Sequence, residues 1–124
     1  MIYEPIYFLK YNMLSANEEA KTAFADWLLF ADDDAVLAEG AIAQIKKAVD
    51  SAADNVVAFE LRQSPVDSAH HIDPVNLEIA YLDTAAFLVK RSAFERAGGF
   101  DSNFSVLSLL DLSWRLRSMG GVLK

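Results

Sequence analysis

The sequence has 124 residues, enough for one domain with a buried core, and 53% of them are hydrophobic. That share excludes an intrinsically disordered chain, and the absence of cysteine excludes disulfides, zinc–thiolate sites and cysteine nucleophiles. The 11 basic and 18 acidic residues give a formal net charge of −7. This charge argues against a nucleic-acid-binding protein, because such proteins need a basic face.

The N-terminal segment 1–12 contains Glu4 and Lys10 and lacks a long apolar core, so it is a poor secretory signal. No apolar run approaches the roughly 18 residues that a membrane-spanning helix needs. These features predict a soluble, cytoplasmic protein without a transmembrane segment.

The first half of the chain is predicted to alternate between helix and strand. Ser15 and Glu18 have the spacing of a capping box, which predicts a short helix over residues 16–25. The apolar run WLLFA at 27–31 stops abruptly at aspartates and predicts a buried strand, typical of parallel sheets. Residues 38–52 carry apolar side chains at helical spacing and predict an amphipathic helix.

The second half begins with two predicted strands, at 55–62 and 84–90. Between them, residues 63–83 are polar and predict a long loop. The pair His70-His71 in this loop is interpreted as solvated, because no third ligand has a spacing suited to a metal site.

Two further helices are predicted near the C-terminus. Ser92 opens a capping box for the first, and Gly98-Gly99 is a natural end for it. Ser108 can cap the second, which Gly120 follows. The alternation of strands and helices predicts an α/β domain over 1–124, with a mixed or mostly parallel sheet flanked by helices.

The sharpest feature is the run Asp32-Asp33-Asp34 directly after the apolar strand. Side chains alternate along an extended chain, so Asp32 and Asp34 can point the same way. Two convergent carboxylates at the carboxyl end of a strand favour a hard divalent cation bound to a substrate diphosphate. The alternative is a structural role, because aspartates are common in turns and as caps of the following helix.

Three segments resemble family-two glycosyltransferases, which are inverting enzymes with a GT-A fold. Residues 25–42 are similar to the family's hydrophobic run followed by D-x-D. Residues 86–104 are similar to its "F-L-V-R-R-x-x-F-x-x-x-G-G-F-D-x-x-F" segment, and residues 111–116 to the end of its "E-D-x-D-L-x-x-R-L" helix. The resemblance extends from about Tyr11 to Gly121.

The resemblance implies sugar transfer from a nucleotide-diphospho-sugar to a saccharide or lipid-linked acceptor, as in polysaccharide biosynthesis. Asp32 and Asp34 would hold Mn²⁺ or Mg²⁺ and the donor diphosphate, with Asp33 between them. Location at the inner face of the membrane, through partners, is compatible with this role. Three residues are candidates for the acceptor side: Gly99, Asp101 and Trp114. Each also has a plainer interpretation: Gly99 as a helix end, Asp101 as a turn cap, and Trp114 as a packed or half-exposed helix residue.

The motif that supplies the family's general base is degenerate in this chain. Ser108 and Leu109 stand at the "E-D" positions, and Leu109 cannot accept a proton. Asp111 is the nearest remaining carboxylate and is expected to cap or orient the helix. Arg115 and Arg117 are interpreted as solvated helix charges, with contact to a phosphate as the alternative.

The resemblance also implies that the family's N-terminal nucleotide-binding half is missing. The chain is therefore expected to be a fragment or reduced form that is inactive by itself. Apolar surface left by the missing half would favour self-association or packing against another domain.

Two other functions compete with sugar transfer. One is a non-catalytic, degenerate module that binds a ligand or supports a neighbouring domain. The other is a haloacid-dehalogenase-type phosphatase, in which Asp32 is the nucleophile and Asp34 the acid. The phosphatase motif normally opens its fold and needs a downstream lysine, for which Lys90 is available, and an acidic pair that the sequence lacks.

Overall fold

The computed structural model describes these residues: 2–3, 6–10, 20, 25–31, 39–61, 75, 78–82, 86–101 and 108–124. The strands are β1 (Ile2–Tyr3), β2 (Ile6–Lys10), β3 (Trp27–Ala31), β4 (Val56–Glu60), β5 (Ala86–Lys90) and β6 (Val122–Leu123). The helices are α1 (Ala41–Ser51), α2 (Arg91–Ala97) and α3 (Ser108–Ser118).

The strands form one mixed sheet in the order β1-β2-β3-β5-β4-β6. The pairs β2–β3 and β4–β6 are parallel, whereas β1–β2, β3–β5 and β4–β5 are antiparallel. Consequently β2, β3, β4 and β6 run one way, and β1 and β5 run the other way. The prediction of an α/β domain with a mixed sheet flanked by helices is confirmed, and the mostly parallel alternative is not.

Helices cover both faces of the sheet. Leu28 and Phe30 of β3 lie in the larger apolar core, which contains residues of α2 and α3. Trp27 and Leu29 point to the other face and pack in a smaller core with Ile45 of α1. Successive side chains of a strand point to opposite faces, so β3 contributes to both cores. None of the described helices has the length and apolar character needed to cross a membrane.

Both α2 and α3 end at a pair of glycines. The amide of Gly98 donates to the carbonyl of Glu95, and that of Gly99 donates to Phe94, each at 3.0 Å. Gly98 has a φ of 90°, the left-handed conformation that this helix ending requires. Gly120 has a φ of 89° and ends α3 in the same way, so the helix ends predicted at both glycine sites are confirmed.

The predicted capping box at Ser92 is wrong. A cap at Ser92 would start the helix at Ala93, but α2 begins two residues earlier, at Arg91, and its N-cap residue, Lys90, makes no side-chain cap hydrogen bond. Instead, the Arg91 amide donates to the carbonyl of Asp26 at 2.8 Å, and Arg91 Nε donates to the carbonyl of Ala25 at 2.7 Å. The helix follows β5 without a linker, so a bond to the start of β3 takes the place of a local cap.

The other predicted elements agree with the structure where it describes them, except that Ser108 is the first residue of α3 and not the residue that caps it. The strands and the amphipathic helix predicted at 27–31, 38–52, 55–62 and 84–90 are present with slightly narrower bounds. Most of the helix predicted at 16–25 and of the loop predicted at 63–83, including His70-His71, lies outside the described residues. Within the loop range, Ile79 forms an antiparallel bridge with Leu123 of β6. The strands β1, β2 and β6 were not predicted.

Ser113 links α3 to the segment 78–82 through a hydrogen bond. Its side chain is fully buried, and its Oγ accepts a hydrogen bond from the amide of Leu82 at 2.9 Å. The same hydroxyl donates to the carbonyl of Leu109 at 2.8 Å. A buried amide needs a partner, so this serine has a structural role.

Replacing Ser113 by alanine would leave the buried Leu82 amide without its acceptor. We expect Ser113→Ala to lower the free energy of unfolding by about 1–3 kcal/mol in urea titrations. Ser118→Ala is the matched control, because Ser118 also donates to a carbonyl four residues earlier but is exposed. It should change stability by less than about 0.5 kcal/mol. Equal effects of the two variants would contradict the structural role of Ser113.

Gly121 allows α3 to lie close to β4. A Cβ built on Gly121 would lie 2.5 Å from Cγ2 of Val57 and 2.8 Å from the carbonyl oxygen of Leu116. We expect Gly121→Ala to destabilise the fold by about 1–3 kcal/mol through overpacking. Truncating Val57 in the Gly121→Ala background should recover part of the lost stability, because it removes the clash with the valine side chain. The recovery should be incomplete, because the clash with the Leu116 carbonyl oxygen remains. A Gly121→Ala variant as stable as the wild type in urea would contradict this packing.

Candidate functional site

Several strands meet at the edge of the sheet where β3 ends. Ala31, the last residue of β3, pairs with Lys10 at the end of β2 and with Ala86 at the start of β5. The amide of Leu61, just after β4, donates to the carbonyl of Ala86 at 3.1 Å. The ends of β2, β3 and β4 and the beginning of β5 therefore lie at one edge, named here the β3 carboxyl edge. Such edges are common binding sites in α/β proteins.

The predicted metal ligands Asp32, Asp33 and Asp34 follow Ala31 directly in the sequence and lie outside the described residues. Within the described ranges, no group of three or more His, Asp or Glu side chains is arranged to hold a metal ion. The chemistry of the aspartate run still suits the proposed cations, because Mg²⁺ and Mn²⁺ prefer carboxylate oxygens.

The segment after α2 returns to the β3 carboxyl edge through an aromatic cluster. The ring of Phe100 lies 5.5 Å from Phe30 and 6.4 Å from Phe87, measured between centroids, in edge-to-face geometry. Phe30 immediately precedes Ala31, and its ring stacks on Phe87 at 5.2 Å. The neighbours of Phe100 in the chain, Gly99 and Asp101, are thereby brought to this side of the sheet.

The acceptor-side candidates occupy different environments. Gly99 has a φ of 73° and belongs to the turn that ends α2, which agrees with its plainer interpretation. Asp101 follows Phe100 and is partly exposed. Trp114 lies on the outer side of α3 and is 67% exposed, with Leu110 one turn earlier 46% exposed. Of the two plainer interpretations of Trp114, packed or half-exposed, the structure excludes the packed one.

Asp111 is held in an ion pair on α3. Nε and Nη2 of Arg115 both donate to Oδ2 of Asp111, at 3.1 and 2.8 Å. The two side chains are only 18% and 23% exposed, so water screens the pair less than at an open surface. Asp111 thus orients the side chain of Arg115, whereas the sequence prediction was that it caps or orients the helix.

Arg115 also joins α3 to the end of α2. Its Nη1 donates to the carbonyl oxygen of Ala97, the last residue of α2. The interpretation of Arg115 as a solvated charge is therefore wrong. The spacing of Asp111 and Arg115 in the sequence could have indicated their ion pair. The bond to Ala97 depends on how the two helices pack, which no local pattern shows.

Leu109, at the position that the resemblance assigns to the base, is a packing residue. Its side chain is partly buried against the larger apolar core. The remaining carboxylate of this motif, on Asp111, is paired with Arg115. The described part of α3 therefore offers an apolar contact where the family has an acid.

The phosphatase alternative conflicts with the position of Lys90. This residue pairs with Trp27 at the start of β3, at the edge opposite the one that precedes Asp32. Its Nζ lies 5.9 Å from the centroid of the Trp27 ring. In addition, β1 and β2 precede β3, so the aspartate run does not follow the first strand of the sheet.

No protein-family model matches the chain, and no curated protein sequence is significantly similar to it.

Introducing an acid at the base position should disturb the core. We expect Leu109→Asp to lower the free energy of unfolding by about 1–3 kcal/mol, because apolar contacts are lost and a carboxylate is partly buried. Leu110→Asp is the matched control: it makes the same exchange at an exposed neighbouring position and should change stability by less than about 0.5 kcal/mol. Urea unfolding of both variants measures this contrast. Equal stabilities would contradict the packing role of Leu109.

Proposed function

We propose that the chain is a glycosyltransferase-type domain with a partial GT-A fold, whose aspartate run binds the diphosphate of a nucleotide-diphospho-sugar. The observation that carries the proposal is that three segments distant in the sequence contact one another in the fold. The segment preceding Asp32 ends β3, and Phe100 of the second segment packs against Phe30. Arg115 of the third segment binds the end of α2. The three stretches that resemble the family are thus connected in space.

In the proposed reaction, an acceptor hydroxyl attacks the anomeric carbon of the donor sugar and releases its proton to solvent, because the predicted base position carries a leucine. The bond from that carbon to the diphosphate breaks, and the nucleotide diphosphate leaves with its electron pair. Asp32 and Asp34 would hold Mn²⁺ or Mg²⁺, which neutralises charge on the leaving diphosphate when it is bound. Asp101 and Trp114 are proposed for the acceptor side, where an exposed indole offers a flat apolar surface to a sugar ring.

A second candidate, a non-catalytic binding module, is favoured by the state of the base motif. Leu109 packs against the core, and Asp111 is paired with Arg115. A domain of this kind can keep the donor-binding edge after losing the group that deprotonates the acceptor. The two candidates share diphosphate binding and differ in transfer.

Calorimetric titration of uridine and thymidine diphosphates, with and without Mn²⁺, tests the proposed donor site. We expect manganese-dependent binding to the wild type and at least a tenfold loss of affinity, about 1.4 kcal/mol, in an Asp32→Ala/Asp34→Ala variant. Asp50→Ala/Asp54→Ala removes the same charge from two exposed positions and should bind as the wild type does.

Binding that survives in the Asp32→Ala/Asp34→Ala variant would contradict the metal role of these residues. No binding under any condition would contradict the donor site itself. If binding occurs, release of nucleotide diphosphate from a sugar donor in the presence of saccharide acceptors would separate the transferase from the binding module.

A further inference from the structure

Arg115 occupies the junction between α3 and the end of α2. The carbonyl of Ala97 lies in the last turn of α2, where carbonyl groups have no partner within the helix. Arg115 Nη1 donates to this oxygen while the rest of the guanidinium is held by Asp111. The planar guanidinium of an arginine can make these bonds at the same time, whereas the single ammonium group of a lysine cannot. This bridge therefore fixes where α2 ends relative to α3.

From the end of α2, further contacts extend toward the β3 carboxyl edge. Directly after Ala97, Gly98 and Gly99 turn the chain with φ values of 90° and 73°. Phe100 then inserts its ring among the aromatic side chains of the core, 5.5 Å from Phe30 and 5.5 Å from Phe94. Protein cores are close-packed, so displacement of this turn is transmitted to the end of β3.

We propose that Arg115 is a positioning residue for the diphosphate site at the β3 carboxyl edge. It holds the Gly98–Asp101 turn and, through Phe100 and Phe30, the end of the strand from which the aspartate run continues. The inference rests on the proposed function. Arg115 acts through these contacts and does not itself touch the ligand.

Arg91 provides a matched control within the same helix pair. Like Arg115, it forms an i,i+4 ion pair, with Glu95 at 3.2 Å, and donates from its guanidinium to a backbone carbonyl, that of Ala25. Its bonds are made at the start of β3, which is the opposite end of the strand. Loss of the two arginines thus removes similar contacts at opposite edges of the sheet.

The test compares Arg115→Met with Arg91→Met in the full chain, under conditions where urea titrations show both variants to be folded. The probe is uridine or thymidine diphosphate with Mn²⁺, measured by calorimetry. We expect Arg115→Met to weaken binding at least tenfold and Arg91→Met to stay within twofold of the wild type. Arg115→Lys should bind with intermediate affinity. Wild-type affinity in Arg115→Met, or equal losses in the two methionine variants, would overturn the proposal.

A second measurement requires no ligand. In NMR spectra, Arg115→Met should shift the backbone amide signals of Phe100 and Ala31, whereas Arg91→Met should shift those of Asp26 and Trp27. Unchanged Phe100 and Ala31 signals in Arg115→Met would overturn the positioning role, whatever the ligand data. Absence of diphosphate binding to the wild type would instead contradict the proposed function, so the two failures are distinguishable.

Discussion

Burial of β3 on both faces is the constraint on which the rest of the structure depends. Leu28, Leu29 and Phe30 have no exposed surface. Such a strand needs hydrogen-bonded neighbours on both sides and helices above and below it, because an unpaired buried backbone group is costly. The mixed sheet and its flanking helices meet this need. The same constraint makes the end of β3 the boundary between the apolar core and the acidic run that follows in the sequence.

The larger core connects this boundary to α2 and α3. Phe100 follows the tight glycine turn that ends α2 and contacts Phe30, and Arg115 donates a hydrogen bond to the carbonyl of Ala97 just before that turn. Helix α3 is linked to the segment 78–82 by the hydrogen bond that the buried hydroxyl of Ser113 accepts, and Gly121 allows the helix to lie close to β4. Polar contacts at helix ends thus orient α2 and α3, and aromatic packing connects the end of α2 to the core.

The site that we propose separates diphosphate binding from deprotonation of the acceptor. In α3, Leu109 adds apolar contact to the core and Asp111 serves the arrangement of Arg115. Leu109 thus contributes to packing and Asp111 to an ion pair, and the position that the resemblance assigns to the base carries no acid. Diphosphate binding, which we propose for the aspartate run, would depend on the β3 carboxyl edge and not on the missing acid. This separation accounts for the two functions that we consider.

The sequence by itself determined the α/β class, the buried strand before the aspartates, and the ends of α2 and α3 at glycine pairs. These features follow from side-chain periodicity and turn geometry, which are local. The tertiary structure alone decided the strand order, the start of α2 at Arg91 and the roles of Ser113 and Arg115. Each of these depends on partners far away in the chain: Arg115 reaches Ala97 across 18 residues, and Ser113 reaches Leu82 across 31. A serine or arginine on a helix has the same local pattern whether it is solvated or buried, and the packing of other elements determines which hydrogen bonds it makes.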